Sequence, residues 1–119
     1  MRGKVEINSD GKFIRAQFEE DATIADWNES LGLIASLVEE RGIRETLVDI
    51  RKQKGTAPTE DLFYFGTQVP KNVRFAVLAR RNSDDEFVET VARNRGATAR
   101  LFFGPEEEAV DWLLAKPIR

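Results

Sequence analysis

Three times along this chain a short run rich in Val, Leu and Phe is followed by a segment whose apolar residues recur at steps of three and four. This alternation limits the fold more than any other feature. A strand that must pass through a helix before the next strand begins returns in parallel, through a right-handed crossover. The runs are 46–50, 73–78 and 99–103, each bounded by polar residues, as expected of strands covered by helices. A helix is expected over 60–69, with Glu60 and Asp61 at its positive end and Pro70 closing it. The next runs over 83–95, where Ser83 and Glu86 stand at capping-box spacing and Gly96 stops it. The last begins with Pro105 at its first helical position. Glu106, Glu107 and Glu108 crowd its first turn, and Ala109, Val110, Leu113 and Leu114 form its apolar face.

Ahead of this alternation, Val5 and Ile7 alternate with polar neighbours, Asp10-Gly11 signals a tight turn, and Phe13, Ile14, Ala16 and Phe18 resume the pattern, which reads as a hairpin. Thr23 then precedes Ile24, Trp27, Leu31, Ile34, Leu37 and Val38, one helical stripe that Gly42 ends in a left-handed conformation. The order is ββαβαβαβα. It predicts an α/β domain spanning 1–119, with a mostly parallel five-stranded sheet and an N-terminal antiparallel hairpin, free of repeats and linkers.

Composition narrows the chemistry. The chain holds no cysteine and no histidine, which removes thiolate sites, the commonest general base and the commonest transition-metal ligand. No cofactor, no metal site and no catalysis are expected. A net charge of −3, with both signs interspersed, argues against nucleic acid as a partner. No apolar run approaches the ~18 residues of a membrane span, and the first ten residues lack a signal-peptide core, so no membrane insertion and a cytoplasmic location are expected.

The arrangement resembles the SpoIIAA-like domains, relatives of the sulfate-transporter and anti-sigma-factor-antagonist (STAS) family. The resemblance runs from the hairpin to the last helix. It is carried by Leu47-Val48-Asp49-Ile50, by the loop into Thr59-Glu60-Asp61-Leu62, and by Arg100-Leu101-Phe102-Phe103 followed by Glu107-Glu108-Ala109-Val110-Asp111-Trp112-Leu113. It implies a binding or regulatory domain that meets a partner through the loop after the third strand and the helix that follows. In the anti-sigma antagonists a serine or threonine at the start of that helix is phosphorylated; the corresponding residues here are Thr56 and Thr59. The antagonists' Asp-Ser-(Ser/Thr)-Gly motif is missing, since Asp49 is followed by Ile50-Arg51 and a basic loop.

Ligands of parallel α/β sheets gather beyond the strand C-termini. If the third and fourth strands are neighbours, Arg51, Lys52, Lys54, Arg80 and Arg81 share one rim. An anionic partner is the sharper reading of that rim, and a solvated loop of mixed charge the plainer one. Asp49, at a strand end, either contacts a ligand or fixes its own loop by hydrogen bonds. Ser83 reads as a cap rather than a nucleophile, because no histidine could activate it. Leu62, Phe63, Tyr64 and Phe65 spread around more than half of a helix at 100° per residue. Leu62, Phe65 and Val69 fit the buried stripe, leaving Phe63 or Tyr64 outward as an anchor for a protein partner or a second copy of the chain. The alternative function is a pocket for a small ligand or lipid at the strand C-termini.

Overall fold

The computed structural model describes residues 1–54, 59–80 and 83–115, with side chains at all of these except 59 and 83–85. Nine elements follow the expected order: β1 (Gly3–Ile7), β2 (Ile14–Phe18), α1 (Ile24–Arg41), β3 (Glu45–Asp49), α2 (Thr59–Gln68), β4 (Arg74–Leu78), α3 (Ser83–Asn94), β5 (Thr98–Phe102) and α4 (Glu106–Leu114). The strands lie in the order β1-β2-β3-β4-β5. β1 and β2 are antiparallel, with Val5 opposite Ala16, and every later pairing is parallel.

Local chemistry accounts for most of the boundaries. In the hairpin turn Asn8 Oδ1 accepts the amides of Lys12 at 2.8 Å and Phe13 at 3.0 Å, and Gly11 takes a φ of 69°. At the start of α1 the Asp26 carboxylate reaches back to accept the Thr23 amide at 2.8 Å. Gly42 ends that helix at a φ of 71°, donating to the Val38 carbonyl at 2.8 Å. Several boundaries shift by a residue from expectation, and two of the shifts have a visible cause. β3 stops at Asp49, although the Ile50 amide still donates to the Leu78 carbonyl at 2.9 Å and carries the ladder one residue further. Pro105 is the N-cap of α4 rather than its first helical residue, because its ψ of 147° is extended while Glu106 is the first to turn.

The strand order decides where the helices lie. Because β2 to β5 advance in one direction across the sheet, right-handed crossovers place α1, α2 and α3 together on one face. There Ile14, Ala16, Phe18, Ile50 and Phe75 meet Trp27, Ile34 and Leu62. α4 has no following strand to reach, and it covers the opposite face, where Leu47, Ala76, Leu78 and Phe102 meet Ala109 and Leu113. Trp112 packs on Phe102 at 5.7 Å between centroids and beneath the Arg74 guanidinium at 4.0 Å. Arg74 also donates to the Trp112 carbonyl at 2.7 Å, serving an orphan acceptor at the end of α4.

Candidate functional site

α2 is divided along its length between core and solvent. Leu62 is buried, and Phe65 stacks at a tilt on Trp27, 5.1 Å between centroids. Phe63 and Tyr64 both point outward, 46% and 60% exposed. Phe63 leans toward the end of α3, where the guanidinium of Arg95, the residue after that helix, lies 5.8 Å from its ring centre. Gly66 permits the close approach of the two helices, since a methyl group there would sit 2.7 Å from Val91 Cγ1. The exposed pair is therefore mounted on a helix that is clamped from behind.

The condition that the sequence reading set for a shared basic rim beside α2 is met. β3 and β4 are neighbours, and the Arg80 guanidinium donates to the Gln53 carbonyl, joining the loops after the two strands. Three of its cations, Arg80 among them, are nevertheless engaged. Arg51 grips Asp49 through two parallel bonds, Nε to Oδ1 at 3.0 Å and Nη2 to Oδ2 at 2.9 Å, and its amide donates to Oδ1 at 3.1 Å. Lys54 pairs with Glu20 at 3.4 Å. Lys52 is exposed. Thr56, Arg81 and the side chain of Thr59 lie outside the described residues, while the Thr59 backbone opens α2.

Asp49, whose side chain is 6% exposed, sits on the α4 face with Arg15 at 3.6 Å. Arg15 in turn meets Glu106, the first residue of α4, at 2.7 Å. Burial works against the Asp49 carboxylate, but the Arg51 hydrogen bonds and the charges of Arg51 and Arg15 outweigh it and hold the group below its ordinary value. The arrangement fixes the loop, as local aspartate chemistry predicts. Among the described residues, no group of three or more acidic side chains is placed to hold a metal ion. None of the helices there is long and apolar enough to cross a membrane.

Sequence reasoning missed Gln53. Its Oε1 accepts the Trp27 indole N–H at 2.7 Å, and its Nε2 donates to the Ala22 carbonyl at 3.0 Å. It pins the loop after β3 to the start of α1. A glutamine in a polar loop carries no sequence signal for such a role. The pairing of Arg15 with Glu106 was equally hidden, since the two residues lie far apart along the chain.

An apolar cavity of about 80 Å³ lies between α1, α2, α3 and the sheet. It is lined by Phe18, Trp27, Ile34, Phe65, Phe75 and Val88 among others. Its position is on the face covered by α1, α2 and α3, whereas Asp49 belongs to the face covered by α4.

No family model and no curated protein matches the chain. An uncharacterised DUF3478-family protein from Shewanella loihica PV-4, whose crystal structure has a SpoIIAA-like fold, is similar in structure. It superposes with a TM-score of 0.61 over 93% of this chain and 91% of that one, at 19% identity. This chain thus has a SpoIIAA-like α/β fold.

Proposed function

We propose that this SpoIIAA-like chain is a non-catalytic interaction module that engages a protein partner, or a second copy of itself, through the outer face of α2 and the loop before it. The observation that carries the reading is the exposed pair Phe63 and Tyr64 on a helix whose other side is locked against Trp27 and α3. Aromatic side chains presented by a rigid element lose little entropy on binding and anchor interfaces well. The absence of histidine and cysteine supports a binding role over a catalytic one. Regulation through this surface, by phosphorylation of Thr56 or Thr59, belongs to the same reading. Sedimentation equilibrium tests the self-association arm. The natural protein is expected above the mass of one 13.5 kDa chain, and the Phe63→Ser, Tyr64→Asp variant at that mass. A mass that the double variant leaves unchanged counts against the surface.

A second reading, a binder of a small apolar molecule, is favoured by the cavity beneath the three helices. Its volume is about half the ~150 Å³ that accepts a benzene, so it suits a short unbranched group rather than a ring or a long acyl chain. Saturable quenching of Trp27, which lines the cavity, is the measurement that reports occupancy.

A further inference from the structure

The cavity has a neighbour. Beside β5 runs an open cleft of about 570 Å³, bordered by α3 and by Trp112 of α4, and Glu89, Ala99, Arg100 and Leu101 line both the cleft and the cavity. β5 is an edge strand, so its alternate backbone groups face outward. Phe102 turns its carbonyl inward to accept the Ala79 amide at 3.0 Å, which leaves the neighbouring Leu101 amide pointing into the cleft. Among the described residues no strand meets that amide. Instead the Glu89 carboxylate accepts it at 2.6 Å, while its other oxygen stands 3.8 Å from Arg93 Nη1. The Glu89 side chain is 18% exposed, with apolar cavity on one side and solvent on the other.

The junction between apolar cavity and polar cleft is thus already configured around a carboxylate, held by one backbone amide and one guanidinium. We propose that this junction binds a short-chain monocarboxylic acid, whose carboxylate replaces that of Glu89 on the Leu101 amide and Arg93 while its alkyl tail enters the cavity. The proposal rests on the second reading above. It adds the chemistry of the head group and assigns Glu89 the part of an internal competitor. The unbranched tail follows from the cavity's volume and its apolar lining. The anionic head follows from the Leu101 amide that Glu89 now accepts and from the Arg93 charge beside it.

The test titrates butyrate and butan-1-ol into a Trp112→Phe variant, in which Trp27 is the remaining tryptophan and reports the cavity. Saturable quenching by butyrate is expected, with affinity rising about threefold to fourfold per methylene from acetate to butyrate. Adding Glu89→Ala frees the Leu101 amide and Arg93, and it is expected to tighten butyrate about tenfold more than it changes butan-1-ol, which shares the altered lining. Arg93→Gln, an exposed change outside the cavity lining, is expected to weaken butyrate alone, and it serves if Glu89→Ala fails to give a native circular dichroism spectrum. If butan-1-ol quenches Trp27 but neither variant changes butyrate affinity relative to the alcohol, the carboxylate assignment is overturned while the apolar cavity reading stands. If neither probe quenches Trp27, both are overturned.

Discussion

Asp49 shows how a single carboxylate can be committed to structure by neighbours that the chain brings from three places. Arg51 is two residues away, Arg15 comes from β2, and Arg15 is itself shared with Glu106 of α4. Removing the charge while keeping the shape, as in Asp49→Asn, leaves two guanidiniums short of a partner. Because Arg51 is partly exposed, the expected loss is about 1–3 kcal/mol, below that of a fully buried pair. The pH dependence has a definite sign. The Asp49 carboxyl is lowered from its ordinary 3.8 in the folded chain, so its stabilisation is fully present above that value and disappears as pH falls through the lowered one. Urea unfolding of parent and Asp49→Asn should differ most near neutrality and converge in the acid range; a gap that does not vary with pH would sink this account. Gln53→Ala should cost about 1–3 kcal/mol by stranding the Trp27 indole N–H, with a shift of Trp27 emission as its signature. Asp49 was legible as a loop-fixing residue because its main partner is local. Gln53, Arg15 and Glu106 were not, because their partners are distant in sequence.

At the scale of elements, the contact between α2 and α3 turns on one missing methyl group. Alanine is the better helix former than glycine by about 1 kcal/mol. Gly66→Ala is nonetheless expected to destabilise the fold by about 1–3 kcal/mol, because the new Cβ would press on Val91 Cγ1 and Cβ at 2.7 and 2.9 Å. Val91→Ala in the same chain removes Cγ1 but keeps Cβ and should recover part of the loss, a coupling that a double-mutant cycle in urea would measure. Additive effects would show that the two helices are not seated on each other here. Helix and strand identities were readable because periods of two and about 3.6 separate cleanly in this chain. The need for a glycine at 66 was not, since nothing in the local sequence tells which face of α2 meets another helix.

Across the whole molecule one sheet serves two cores of unequal size, with Trp27 in the larger and Trp112 in the smaller. Every strand from β3 to β5 contributes side chains to both faces, so loss of either layer exposes the other. Single-tryptophan variants Trp27→Phe and Trp112→Phe should therefore report coincident urea transitions. An earlier transition for Trp112 would show that α4 separates before the three-helix layer melts. The same architecture ties the basic rim into the molecule. Three of its cations are joined by the fold to Asp49, Glu20 or the Gln53 carbonyl, and charges satisfied within the molecule attract an external anion less.

Residue order alone determined the element sequence, the parallel sense of β2 to β5 and an outward aromatic at Phe63 or Tyr64, because periodicity, turn chemistry and crossover handedness are local or nearly local rules. Tertiary structure alone decided that α4 crosses to the other face, that Arg15 and Glu106 close on Asp49, and that an apolar cavity opens beside the edge of β5. Those outcomes depend on distances between segments remote in the chain, and a distance of that kind exists only once the sheet has formed.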